Sequence, residues 1–137
     1  MKRQLRSLYA SANTIISKFA QCSLVVKCYL IESYSLSFYC SYLWSNFNKS
    51  SHSKLRVAYN NVYRKVLGYG KRDSASTMFV HAGIDNFETR MRKACKGFQQ
   101  RVENSENKIV NCITENGWVK TNYIWKRWNS LLYTNHM

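Results

Sequence analysis

No proline occurs among the 137 residues, and this absence shapes every other expectation about the fold. Proline is the strongest helix breaker, so a chain without it can form long uninterrupted helices. Apolar residues recur at spacings of three and four along most of the chain, and no segment shows the alternation of a half-buried strand. These patterns predict an all-α fold, a bundle of five or six helices.

The ends of the helices follow from the apolar stripes and from local capping signals. Ser23 and Ser53 are candidate N-caps, and Gly68 fits a helix end because glycine adopts the left-handed conformation readily. The segment NFNKSSH (46–52) has the composition of a loop. The predicted helices cover 3–19, 24–46, 54–67, 74–82 and 87–104, with one or two more over 107–134.

Helix 24–46 is apolar most of the way round, which predicts a central buried helix. In the helix after it, Tyr59 and its neighbours at helical spacing form the apolar stripe. The candidate core residues of the later helices are Leu55, Ala58, Tyr59, Val62 and Val66, then Met78 and Phe79, then Ile109, Val110, Ile113, Ile124, Trp128 and Leu131.

The charge is strongly positive and unevenly distributed. Lys and Arg number 21 against seven Asp and Glu, a formal charge of +14. Residues 1–72 hold 12 basic residues and one acidic residue, whereas residues 73–137 hold nine and six. A basic half of this kind is typical of chains that bind nucleic acid or an anionic membrane. The alternative is a solvated basic surface that has no partner.

The sequence does not favour stand-alone catalysis. Two-metal phosphoryl transfer needs clustered carboxylates, and the acidic residues are scattered with no paired aspartates. GYGKR (68–72) lacks the spacing of a phosphate-binding loop. The five cysteines form no CxxC pair, and the three histidines are not at metal-ligand spacing. We therefore predict reduced, mostly buried cysteines, and no catalytic residue, metal site or cofactor.

Basic and amide side chains follow one side of helix 54–67. Arg56, Asn60 and Arg64 are four residues apart, and Lys65 lies on an adjacent line. Guanidinium and ammonium groups on one face suit phosphate oxygens. The predicted nucleic-acid-binding residues are Arg56, Asn60, Arg64, Lys65, Lys71 and Arg72, with Arg90, Lys93 and Lys96 as a second group.

The C-terminal run WVKTNYIWKRWNSLLY (118–133) interleaves aromatic and basic residues. Such residues can stack on bases, pack in a core or lie on a membrane surface, and the pattern leaves all three open. No signal peptide is evident, and Lys27, Glu32 and several serines make 24–44 too polar to span a bilayer. We expect an intracellular protein, nuclear or cytoplasmic and not secreted, with no membrane span.

Two stretches resemble a known family. LYASANTIISKFAQCSLVVKCYLIESYSLSFYCSYLW (8–44) resembles the segment after the polymerase core in jockey-like non-LTR retrotransposon reverse transcriptases, with the pattern KF..CS..VK..L..SY....Y...LW. The stretch from Leu55 to Phe79 is similar to the next block of that family, LRVAYNN..R..LG...R.SAS.MF, and FETRMRKACKGFQQRV (87–102) resembles the helix that usually follows.

The resemblance implies a helical thumb and connection, which hold the RNA–DNA hybrid or duplex DNA of a template and primer by its backbone and perform no chemistry. Residues 3–102 would form this thumb-like domain, and 103–137 an unassigned helical extension. The sequence lacks the paired aspartates of the polymerase palm, the endonuclease and a cysteine–histidine knuckle. Gly70 stands where members of the family often have proline, which suggests a looser turn.

Because Met1 lies where a thumb would begin, we expect a truncated reading frame or a fragment of a transposable element. The alternative to a nucleic-acid-binding fragment is a structural remnant that needs a palm domain to fold or act.

Overall fold

A computed structural model of the chain describes residues 2–36 and 49–117, together with Lys126 and Ser130. Every regular element within these residues is helical, which confirms the all-α prediction. The helices are α1 (Lys2–Lys18), α2 (Leu24–Leu30), α3 (Lys49–Leu67), α4 (Ala75–Ala82), α5 (Phe87–Glu103) and α6 (Lys108–Glu115), and a π-helical segment, Ile31–Ser35, continues α2. None of these described helices is long and apolar enough to cross a membrane.

The chain divides into two compact units. Of the described residues, the first unit contains α1 to α4 and Phe87, and the second contains the rest of α5 and α6. The predicted division after residue 102 came from the family resemblance and stays a prediction.

Helix α2 begins where it was expected. Ser23 is its N-cap, and the Ser23 Oγ accepts a hydrogen bond from the Val26 N–H at 3.4 Å. Cys28, Ile31 and Ser35, which are three and four residues apart, form one buried stripe. Large apolar side chains on the other sides, such as Val25, are exposed. The described part is thus buried along one stripe. The helical segment ends at Ser35, short of the predicted end, because Leu36 leaves the helical conformation with φ −94° and ψ 27°. Residues 37–46 of the predicted helix lie outside the described residues.

Helix α3 begins at Lys49, so the predicted loop is wrong for residues 49–52, and Ser53 lies inside the helix instead of capping it. Small polar residues oppose a helix only weakly, and no glycine or proline stops it here. A contact distant in sequence favours the longer helix, because the His52 ring packs edge-on against Phe87 with ring centroids 5.4 Å apart. Tertiary packing therefore overrides the local loop signal.

The predicted core of α3 is confirmed, since Leu55, Ala58, Tyr59, Val62 and Val66 are all buried. Tyr63 is also fully buried, which the stripe did not predict.

Aromatic rings join α3 to α4 and to the start of α5. The Tyr59 ring centroid lies 5.0 Å from Tyr63, 5.6 Å from Phe79 and 5.7 Å from Phe87. Such offset or edge-on pairs stabilise beyond the area that they bury. The Tyr59 hydroxyl also donates to the backbone carbonyl of Asp85 at 2.7 Å, so the ring and its polar tip are both held.

The shorter helices follow the capping signals. The Ser74 side chain caps α4 by accepting from the Thr77 N–H, and Met78 and Phe79 are buried as predicted. Helix α5 starts at Phe87, close to the predicted position, and buries Met91 and Cys95.

Helix α6 ends just before Gly117, whose φ is +67°. Ile109 and Ile113 were predicted to be core residues, but they are 71% and 43% exposed. Their spacing marks one helix face but does not determine whether another element covers it. The predicted core residues Ile124, Trp128 and Leu131 lie outside the described residues.

Candidate nucleic-acid interface

The candidate interface is built around the C-terminal end of α3. Gly68 has φ +75°, and the N–H of Tyr69 donates to the carbonyl of Arg64 at 2.9 Å, which closes the last turn of the helix. Among the described residues, no heavy atom lies within 4 Å of where a Cβ on Gly68 would stand. The left-handed backbone, and not a lack of space, is therefore what favours glycine here.

Asp73 closes the turn that follows. One oxygen of its carboxylate, Oδ2, accepts from the N–H of Gly70 at 2.6 Å, and the Asp73 N–H donates to the Gly70 carbonyl at 3.2 Å. Proline at position 70 could not donate the first of these bonds. Gly70 therefore gives a turn that is tied by hydrogen bonds, in contrast to the looser turn expected from the sequence.

Arg64 connects the helix to this turn. Its Nη2 donates to the backbone carbonyl of Asp73 at 2.9 Å, and its Nη1 donates to the Asn61 Oδ1 at 3.3 Å. The side chain is half-buried, and within the described part of the chain its Nε is buried without a hydrogen-bond partner. Arg64 thus helps to build the surface, a role that the sequence analysis missed. Arginine in a last helical turn commonly reaches nearby carbonyls, which was the available signal.

Lys65 links α3 to α1. Its Nζ donates to the Asn13 Oδ1 at 2.8 Å, while the side chain stays exposed. The acceptor is a neutral amide. A phosphate oxygen is a stronger acceptor for an ammonium group, so Lys65 can exchange the one for the other.

The remaining residues of the first predicted group differ in exposure. Arg56, Lys71 and Arg72 are exposed, whereas Asn60 is half-buried. The stripe of Arg56, Asn60 and Arg64 therefore leads from solvent into the protein. Lys54 and Asn61, which share a line with Lys65, are also exposed, although the predicted site omitted them. This line lies about half a turn of the helix away from Arg56, so the exposed residues are spread over the solvent-facing surface of α3 and its turn and do not form one stripe. We call this surface the α3 basic face: Lys54, Arg56, Asn61, Lys65, Lys71 and Arg72.

The second predicted group lies on α5, in the second compact unit. Lys93 and Lys96 are exposed, and Arg90 is half-buried. Further along the helix, the Arg101 guanidinium carbon lies 5.7 Å from the centroid of the Phe98 ring, within the range of a cation–π contact.

The described residues hold no group of three histidine, cysteine or carboxylate side chains that could bind a metal ion.

Cys22, Cys28, Cys95 and Cys112 are free thiols. Burial raises the pKa of Cys95 to about 11. Burial, and then the charge of Glu32, raises the pKa of Cys28. Both thiols are therefore protonated at neutral pH and are poor nucleophiles.

No protein-family model matches the chain, and no curated protein or solved structure is significantly similar to it. What the chain does must be inferred from its own residues.

Proposed function

We propose that the chain binds the phosphate backbone of a nucleic-acid duplex, an RNA–DNA hybrid or duplex DNA, through the α3 basic face, and that it performs no chemistry of its own. The observation that carries this proposal is the exposure of Arg56, Lys65, Lys71 and Arg72 on one helix and the turn after it. Residues 1–72 contain a single acidic residue, Glu32, and the turn adds the carboxylate of Asp73, so the positive potential of this surface is opposed by few carboxylates.

The resemblance to the thumb and connection of a jockey-like non-LTR retrotransposon reverse transcriptase supports the same function. Residues of the family block 55–79 have identifiable structural tasks: Arg64 ties the turn, Gly68 ends α3 and Ser74 caps α4. The block therefore forms two helices, α3 and α4, that are joined by an ordered turn. By this proposal the chain is a fragment of a transposable element, and a palm domain is a further partner.

A second candidate function is a structural remnant that needs a palm domain to fold or act. A specific observation favours it. Leu24, Val25 and Tyr29 are large apolar side chains that are more than half exposed, and they border a groove of about 420 Å³. The groove is lined by Leu24, Val25, Cys28, Tyr29, Glu32, Leu67, Ala82, Gly83 and Ile84. Exposed apolar patches of this kind mark surfaces that another chain covers.

The experiment that tests the first proposal is binding of the purified chain to a fluorescent RNA–DNA hybrid across a salt series. Each phosphate contact contributes roughly 0.7–0.9 to the slope of log affinity against log salt. The variant Arg56→Gln/Arg72→Gln should lower that slope by roughly 1.5. The matched control, Arg3→Gln/Lys18→Gln, removes the same charge from exposed positions of α1 and should change the slope much less.

A flat salt response of the wild-type chain would contradict backbone binding. Equal slopes for the two variants would place the contact outside the α3 basic face. Thermal unfolding of the isolated chain separates the second candidate, because a remnant that needs its palm should show no cooperative transition, whereas an independent binding module should show one.

A further inference from the structure

Ser74 lies in a setting that suits a protein kinase. Lys71 and Arg72 precede it by three and two residues, the arrangement that basophilic serine kinases select because acidic pockets on the kinase hold the two cations. Residues 71–74 are all exposed, and the Ser74 backbone is extended, with φ −63° and ψ 121°. Ser74 thus already has the extended backbone that a kinase cleft accepts, and residues 71–73 can enter the cleft once the turn between Gly70 and Asp73 opens.

The hydroxyl of Ser74 is available for transfer. The Ser74 Oγ accepts from the Thr77 N–H at 3.4 Å, a long bond that uses the lone pair of the oxygen and leaves the hydroxyl proton for a base. A phosphate group on this atom would stand at the N-terminus of α4, where negative charge is favoured and where its oxygens can take over the capping bond. The modification is therefore compatible with the folded helix.

We propose that Ser74 is the acceptor of a basophilic serine kinase, and that phosphate there switches off the α3 basic face; the switch rests on the proposed nucleic-acid binding. The Ser74 Oγ attacks the γ-phosphorus of ATP, and a new O–P bond forms. The bond from that phosphorus to the β–γ bridging oxygen breaks, ADP leaves, and the hydroxyl proton passes to a carboxylate base of the kinase.

The switch follows from electrostatics. A phosphoserine carries about −1.5 to −2 charges at neutral pH. It would stand two residues after Arg72 and one residue after Asp73, whose carbonyl accepts the Arg64 Nη2 at 2.9 Å. The new anion would compete with duplex phosphates for these guanidinium groups and would repel the duplex itself.

The acceptor is tested by incubating the full chain with the catalytic subunit of cyclic-AMP-dependent protein kinase and Mg–ATP, followed by peptide mapping. Phosphate is expected on Ser74 in the wild-type chain and in Ser76→Ala. Ser74→Asn, which keeps an effective N-cap, should carry none at that position. The map must be resolved by peptide, since Arg127 precedes Ser130 by three residues. An unmodified Ser74 in the wild-type chain would overturn the assignment.

The switch is tested by hybrid binding before and after phosphorylation. Removing the equivalent of about two phosphate contacts weakens binding about ten- to a hundredfold near 0.1 M salt. Ser74→Asp should bind more weakly than Ser74→Asn, which caps α4 without the charge. Unchanged affinity of the phosphorylated chain would overturn the switch. If the unmodified chain binds no duplex, the proposed function fails and the switch with it, while the peptide map still decides whether Ser74 is an acceptor.

Discussion

The two sides of α3 obey different constraints. On the inner side, Leu55, Tyr59 and Tyr63 are fully buried. The rings of Tyr59 and Tyr63 both pack against Phe79 of α4. On the outer side, Arg56 and Lys65 are exposed. Packing determines the inner side, because close-packed interiors tolerate few changes of shape. Nothing in the packing of the core requires positive charge on the outer side, and the proposed nucleic-acid partner would account for it.

The strongest way to test this contrast is to remove the central ring of the inner side. Tyr59→Ala deletes the contacts with Tyr63, Phe79 and Phe87, and the bond to the Asp85 carbonyl. We expect the free energy of unfolding to fall by about 3–5 kcal/mol, as for other large aromatic residues replaced by alanine. Urea unfolding followed by circular dichroism measures it.

Two further variants show how large the loss of stability for Tyr59→Ala is by comparison. Tyr59→Phe keeps the ring and loses only the hydroxyl bond, for a cost of about 0.5–1.5 kcal/mol. Val57→Ala, on the half-exposed surface of the same helix, should change stability by less than about 0.5 kcal/mol. Similar losses for Tyr59→Ala and Val57→Ala would contradict the division of α3 into two sides.

The end of α3 is tested by replacing two glycines with alanine, one at the end of this helix and one inside α5. Gly68→Ala forces a side chain into the left-handed region at φ +75° and should cost about 1–2 kcal/mol. Gly97→Ala lies inside α5, where among the described residues a Cβ would meet only the Arg101 Nη1, at an ordinary 3.7 Å, so it should stabilise by about 0.5–1 kcal/mol. Thermal unfolding of both variants checks the sign, and a stabilising Gly68→Ala would exclude the described helix end.

Arg64 holds the end of α3 to the turn that follows it. Arg64→Lys keeps the charge but cannot donate to the Asp73 carbonyl and the Asn61 amide from one planar group. We expect a loss of about 1 kcal/mol in stability, and weaker hybrid binding at unchanged net charge. Denaturant unfolding and binding are measured on the same preparation. If Arg64→Lys kept both the stability and the hybrid affinity of the wild-type chain, the hydrogen bonds of Arg64 to Asp73 and Asn61 would be unimportant.

The last expected effect is a pH dependence confined to alkaline solution, which leaves the stability at neutral pH unchanged. The pKa of Cys95 is about 11 in the folded chain against an ordinary 9.0, so the unfolded thiol loses its proton first as the pH rises. The contribution of Cys95 to stability should be constant below about pH 9 and should decline toward pH 11. Cys95→Ala removes this decline. Parallel pH profiles of the two proteins would show that the thiol is not held protonated by burial.

The buried side of α3 could be predicted because its spacing is local information, and Leu55, Tyr59 and Val62 fall on one stripe. The start of the helix could not, because His52 is held by Phe87, a residue distant in sequence. Tyr63 was missed for a similar reason, since it is buried by the Phe79 ring, which belongs to another helix.

The candidate site divides in the same way. The positions of Arg56, Lys71 and Arg72 on the surface follow from helical spacing and from the glycine that ends α3. The bond from Arg64 to a carbonyl nine residues later depends on the path of the turn, which the sequence does not specify. The exposed Ile109 of α6 shows the converse, because an apolar stripe indicates a face but not what covers it.

The most direct test of the central claim is amide and guanidinium NMR of the labelled chain, titrated with a short RNA–DNA hybrid. If the outer side of α3 grips the phosphate backbone, the largest shifts will occur at Arg56, Lys65, Lys71 and Arg72. Leu55 and Tyr59, on the same helix, will move least. Perturbations that spare the α3 basic face, or that do not fade as salt is added, would contradict the claim.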